Sequence, residues 1–145
     1  MIRAMQSADA DCVMEMMRAF YTSDAVYTNG SDAIFARDIA ACVGDNPYVE
    51  GFVFEAQDGA PAGYAMLAKS YSTEFGRPCV WIEDLFVLPA YRGNGFGSRF
   101  LDLVAAQYPD ALLRLEVEDE NETAVRLYRA HGFDVLPYRE MKREP

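Results

Sequence analysis

The residues able to do chemistry gather in one stretch, Val80 to Leu103, which reads VWIEDLFVLPAYRGNGFGSRFLDL. Its first part, Val80 to Leu88, is an apolar strand-like run interrupted by two adjacent acids, Glu83 and Asp84. A carboxylate buried without a partner is costly, so acids in such a run are there to meet a cation or to take a proton. Pro89 stops the run, because it has no N–H to give to a ladder. Arg92-Gly93-Asn94-Gly95-Phe96-Gly97-Ser98 then turns into a helix with Phe100, Leu101, Val104, Ala105 and Tyr108 at helical spacing. The first N–H groups of a helix lack internal partners, and the helix dipole puts partial positive charge there. Glycines let an anion come close to the backbone, and Arg92 adds a permanent charge with forked donors. Such a turn suits a diphosphate.

The spacing separates this turn from two common phosphate motifs. A dinucleotide G-x-G-x-x-G fingerprint starting at Gly93 would need glycine where Ser98 stands, and one starting at Gly95 would need it at Phe100. A Walker loop would need Gly-Lys-Ser/Thr, which does not follow. The pattern present is Arg-x-x-Gly-x-Gly, at Arg92, Gly95 and Gly97.

On these residues the stretch IEDLFVLPAYRGNGFGSRFL resembles the acetyl-CoA-binding motif of GNAT-superfamily N-acetyltransferases. A second segment, Asn121-Glu122-Thr123-Ala124-Val125-Arg126-Leu127-Tyr128 followed by Gly132-Phe133, resembles the family's N-x-x-A-x-x-L-Y-x-x-x-G-F. The likeness covers residues 80 to 135; the N-terminal half matches in layout only. The Glu-Asp pair is most similar to the spermidine/spermine and thialysine acetyltransferase branch. The resemblance implies acetyl-CoA as cofactor, bound by Arg92, Gly93, Asn94, Gly95, Phe96, Gly97 and Ser98, with Asn121, Ala124 and Tyr128 adding contacts. It implies that backbone N–H groups at Leu85, Phe86 and Val87 hold the pantetheine arm and steady an oxyanion. It gives Tyr128 the role of general acid toward the leaving thiolate. It places Tyr21, Asp24, Tyr27 and Asp32 on the acceptor side, and it implies a homodimer with residues 133–142 as interface material.

Acetyl transfer to an amine meets a protonation problem. A primary ammonium of pKa near 10.4 is only about 0.04% neutral at pH 7, a handicap of roughly 4–5 kcal/mol. A carboxylate beside it, directly or through a water, can take that proton. Glu83 is the first candidate and Asp84 the second, both being candidates for substrate contact. On a regular strand neighbouring side chains point to opposite faces, so only one of the two should face the cleft. Tyr128 is the partner on the other side of the reaction. A phenol near pKa 10 giving its proton to a thiolate near 8.5 runs about 2 kcal/mol uphill.

The elements that must position these groups follow from periodicity. Met1 to Ala4 reads as a short strand. Ser7 can cap a helix from about residue 8 to Tyr21, with Val13, Met16, Met17 and Phe20 on one face. Ser31 caps a second helix with Phe35, Ile39, Cys42 and Val43 inward, closed by Gly44. Val49 to Ala56 and Ala62 to Tyr71 are strands joined at Asp58-Gly59, and Cys79 to Leu88 is a third. A helix from Ser98 to Tyr108, a strand from Ala111 to Glu118 and a helix from Asn121 to His131 follow. Phe133 to Leu136 and Tyr138 to Lys142 are expected as terminal strands. The expected fold is α/β: a GNAT fold whose mixed central sheet has about six to seven strands flanked by about four helices.

Composition sets the outer limits. At 145 residues and 51% hydrophobic the chain should form one domain with a proper core. A net charge of −10 argues against nucleic acid and mildly favours a cationic substrate. No run is long enough for a membrane span and no leader pattern opens the chain, so a cytoplasmic location without membrane contact is expected. Cys12, Cys42 and Cys79 lack metal-like spacing and read as reduced thiols. His131, the single histidine, sits at a helix end where a cation suits the dipole; without a second histidine a zinc site is not expected. The expected function is an acetyl-CoA-dependent N-acetyltransferase for a primary amine, tilted toward a small cation. The alternatives are a CoA-sensing module without turnover and an acetyltransferase for protein or peptide amines.

Overall fold

Alternation along the strands decides the layering of this chain. Phe52, Phe54, Ala65, Leu67, Val80 and Ile82 point to one face of the sheet, and Val53, Tyr64, Met66 and Phe86 to the other. The computed structural model describes residues 1–145. In order along the chain it contains β1 (Ile2–Ala4), α1 (Ala10–Tyr21), α2 (Asp32–Val43), β2 (Val49–Glu55), β3 (Pro61–Ser72), β4 (Arg77–Val87), α3 (Phe96–Gln107), β5 (Leu112–Leu115) and α4 (Glu122–Ala130). The sheet has five strands in the order β1-β2-β3-β4-β5. The first four pair antiparallel and β5 adds parallel to β4, so the sheet is mixed as expected. Phe96, Phe100, Leu101 and Val104 of α3 seal the first face; Val13, Met16, Met17, Phe35 and Ile39 of α1 and α2 seal the second.

Ser31 caps α2 as expected, its Oγ accepting the Ile34 N–H at 3.2 Å. The start of α1 differs from expectation. Ser7 opens a short 3-10 turn, across which the Asp9 carboxylate reaches back to accept the Gln6 N–H at 2.8 Å while Arg3 pairs with it at 2.8 Å. A carboxylate that also meets a guanidinium binds these donors better than a serine hydroxyl.

The sheet has fewer strands than expected because residues 133–142 form none. Phe133 packs on Tyr128, but Val135 is 80% and Met141 93% exposed, so the segment has no apolar reason to join the sheet. It is tied instead by side chains, with Tyr138 donating to Glu74 at 2.7 Å. No helix is long and apolar enough to cross a membrane.

Two features of β4 position the site. Its pairing with β5 covers only Cys79–Ile82 against Leu112–Leu115, so residues 83–87 have no strand neighbour on that side. Its pairing with β3 slips by one residue: Leu67 faces Ile82 but Met66 faces Asp84. Glu83 is thus the extra residue of a β-bulge, which re-aims every side chain after it.

Candidate active site

The bulge overturns the expectation that only one acid faces the cleft. Ile82 points to the α3 face, but beyond the bulge Asp84 and Phe86 point to the α1–α2 face with Tyr64 and Met66. Glu83 and Asp84 both line one cavity of about 220 Å³, together with Tyr21, Asp38, Cys42 and Met66.

The two acids are unlike each other. Asp84 is 3% exposed. Tyr21 donates its hydroxyl to Oδ1 at 2.9 Å and Tyr64 donates to Oδ2 at 2.7 Å. Burial pushes its carboxyl up to about 6, against the pull of the two phenols. Both phenols are in turn driven well above the usual tyrosine range, by burial first and then by the Asp84 charge. Glu83 is exposed at its surface yet partly walled in, which raises its pKa; Glu140 and Asp38 raise it further. Asp38 is also raised, by burial. Glu83 is therefore the solvent-reachable acid and Asp84 the fixed one. Burial holds the Cys42 thiol up at about 11, so it lines the wall as a neutral group.

Asp38 and Tyr64 are site residues that the sequence reading does not single out. Asp38 carries a signal: it stands among Phe35, Ile39 and Cys42 on the inward side of α2, where an apolar residue is expected. Tyr64, inside an apolar strand, reads from sequence as core, and its hydroxyl partner appears only when β3 meets β4 past the bulge. Of the loop residues, Asp24 is exposed and Tyr27 is 88% exposed, and neither lines the cavity. Asp32 is engaged by Arg18 through two hydrogen bonds.

The phosphate turn is built as follows. Gly95, at φ 77°, is the N-cap of α3, and Gly93 has φ 78°. A side chain at either would meet nothing within 4 Å, so the backbone is open to an incoming group. From Gly93 to Ser98, six consecutive backbone N–H groups have no acceptor within the protein. Six free amides on one turn can accept an anion, and a diphosphate is one such group. Arg92 is held against the turn by its Nε donating to the Val87 carbonyl at 3.0 Å. Asn94 folds back onto the Tyr91 carbonyl at 2.9 Å. The Phe96 side chain belongs to the core, stacked on Phe54 at 5.8 Å, so only its amide faces the turn.

The alternation of the β3–β4 ladder assigns the amides of β4. Leu88 donates to the Ala62 carbonyl, which makes Phe86–Tyr64 the next hydrogen-bonded pair. Phe86 thus spends its amide in the ladder. Leu85 and Val87 turn theirs to the open edge beyond β5.

Tyr128 lies on α4, half-buried against Phe133 at 5.9 Å between ring centres, and burial raises its pKa. It packs with the α3-side cluster, on the opposite face of the sheet from Tyr21 and Asp84. Asn121 caps α4, its side chain accepting the Ala124 N–H at 3.3 Å.

A family model described as "Acetyltransferase (GNAT) family" matches residues 13–133. The chain belongs to the GNAT acetyltransferase family. Thialysine N-epsilon-acetyltransferase of Bos taurus is 33% identical over 145 residues, covering 91% of this chain and 82% of that one. N-alpha-acetyltransferase RimI of Mycobacterium tuberculosis is 28% identical, covering 91% and 77%. The solved structure of AAC(6')-Iy in complex with a bisubstrate analog, CoA-S-monomethyl-acetylneamine, superposes with a TM-score of 0.79 at 19% identity, over 100% of this chain and 97% of that one. As a GNAT member the chain is an N-acetyltransferase, and acetyl-CoA is its acetyl donor.

Proposed function

We propose that this GNAT acetyltransferase moves the acetyl group to a primary amine of a small cationic molecule, by direct attack with donor and acceptor bound together. The observation that carries the reading is the cavity walled by Asp38, Glu83 and Asp84, which sits beside the unpaired edge of β4. Three carboxylates around one opening favour an ammonium over a neutral or anionic acceptor. The thialysine relative and the aminoglycoside-type ligand of the solved neighbour agree with a small amine.

Bound acetyl-CoA supplies an activated thioester. In our reading the six amides of Gly93–Ser98, with Arg92, hold its diphosphate. The Leu85 and Val87 amides at the open edge orient the rest and stabilise developing negative charge on the carbonyl oxygen. Glu83, the reachable acid, takes a proton from the ammonium, directly or through water. As the N–C bond forms and the C–S bond breaks, Tyr128 gives its hydroxyl proton to the sulfur, and the second proton of the amine nitrogen passes through water to the tyrosinate, restoring the phenol. Asp84 serves as the fixed anion of the pocket wall.

The test is thiol release from acetyl-CoA across mono-, di- and amino-acid amines, with peptides included. Turnover confined to small amines supports the reading, and turnover on peptides alone would favour the RimI-like alternative. No release with any amine would favour a CoA-binding module. In parallel Gly95→Glu should abolish CoA binding, because it puts a carboxylate into the amide seat; undiminished affinity would remove the seat.

A further inference from the structure

His131 is the single histidine of the chain and occupies the C-cap of α4. Its ring bridges two groups of α3. Nε2 lies 2.8 Å from Ser98 Oγ, and Nδ1 lies 3.3 Å from Asp102 Oδ1. Ser98 and Asp102 are four residues apart, so they share one face of the helix. Ser98 is also the last of the six residues whose amides form the anion seat.

We propose that His131 is a positioning residue for coenzyme A: its protonation decides whether the Ser98 hydroxyl is free to donate to the diphosphate. This rests on the reading that the diphosphate sits at Arg92–Ser98. In the neutral ring the Asp102 carboxylate, 3.3 Å from Nδ1, favours by its charge the tautomer with the proton on Nδ1. Nε2 is then an acceptor, and the one hydroxyl hydrogen of Ser98 is committed to it. In the charged ring both nitrogens donate. Ser98 Oγ becomes an acceptor from Nε2, and its hydrogen is released toward the open end of α3. Protonation therefore adds positive charge beside the seat and gives it a further donor, and both favour an anion.

The groups facing the ring are few. Asp102 is the charged group from α3, and the last carbonyls of α4 lie at the same helix end as the ring. Arg99, next to Ser98, lies over the Phe96 ring at 4.6 Å instead. Arg126 pairs with Glu122, and the exposed Arg129 and Asp134 make no hydrogen bond or ion pair with the ring. The same Ser-His-Asp connectivity serves nucleophilic catalysis elsewhere. Here the amides around the hydroxyl belong to the diphosphate seat, so we assign the hydroxyl to the phosphate.

The experiment uses dephospho-CoA, whose diphosphate does not titrate near neutral pH. The ring proton of the lone histidine gives one NMR signal to follow with pH, with and without this probe. Saturation with dephospho-CoA should move the titration midpoint upward by about 0.5–1 pH unit, equivalent to about 3- to 10-fold tighter binding on the acid side. Calorimetry from pH 5.5 to 8.5 should show affinity falling by the same factor. His131→Gln should flatten that dependence, Ser98→Ala should reduce it to the part supplied by the ring's charge, and the double variant should lose no more than His131→Gln alone. A midpoint unmoved by dephospho-CoA, or a pH dependence kept in His131→Gln, overturns the proposal. If Gly95→Glu loses the probe while the midpoint stays fixed, only the histidine role falls; if Gly95→Glu binds normally, both readings fall.

Discussion

Asp84 gives the sharpest test of the site's electrostatics. Its carboxyl is 3% exposed, holds two phenol donors, and is raised from 3.8 to about 6. A raised folded-state value means the folded chain prefers the protonated acid. The associated stability is fully present below the ordinary carboxylate range and is lost as pH rises through about 6. With these two values, linkage makes the folded chain about 1.4 kcal/mol more stable at pH 5 than at pH 8 through this group alone. Asp84→Asn keeps the shape and removes the titration. Its carbonyl can accept from one phenol and its amide can donate to the other.

Urea unfolding of both proteins at pH 5 and pH 8 reads the effect. Glu116, which burial and Glu140 push up to about 7, adds pH dependence of its own, so the quantity to follow is the difference between the two proteins. The variant should gain about 1.4 kcal/mol on the wild type between pH 5 and pH 8. For a slope of about 1–3 kcal/mol per molar, that is about 0.5–1.4 M in urea midpoint. A difference that does not change with pH would show that Asp84 stays ionised when folded, and the account of a buried, burial-raised acid would fail.

Three further outcomes can be stated. Glu83→Gln should lower turnover by about 10²–10⁴-fold and Tyr128→Phe should lower turnover while sparing CoA affinity; full activity in either removes its proton-transfer role. Gly63→Ala should cost about 1–3 kcal/mol in urea unfolding, because a methyl there would sit 2.3 Å from the Phe86 carbonyl oxygen, which is backbone and cannot step aside. Wild-type stability in that variant would mean β3 and β4 can separate freely at the site.

The open glycine turn before α3 is legible from sequence because glycine spacing, a helix start and an arginine are all local. The helix cap at Ser31 is legible for the same reason. The elements up to β5 follow from periodicity, and the acid pair stands out against its apolar strand. What stays hidden depends on register. No local residue announces a bulge at Glu83, since the slip exists only between β4 and β3. Tyr64 stays hidden for that reason, because only the slip carries Asp84 to the face where Tyr64 already points; Asp38, polar on the inward side of α2, is legible locally. The expected terminal strands fail on another non-local fact. Strand-like composition in 133–142 needs a partner edge and a face to bury, and the chain gives Val135 and Met141 neither.

The bulge itself has an energetic logic that connects fold to chemistry. Without it, alternation from Ile82 would send Asp84 to the α3 face, among Phe52, Leu67 and Phe100, with no phenol to meet it. A carboxylate there would be unpaired among aromatic and aliphatic side chains, a costlier arrangement than one extra residue in a ladder. The slip also changes which amides are free. In unbroken register Leu85 and Val87 would pair with β3, and the open edge would present Asp84 and Phe86 instead. One inserted residue thus brings both acids to the cavity, hands Asp84 to Tyr21 and Tyr64, and turns the Leu85 and Val87 amides toward the gap past β5.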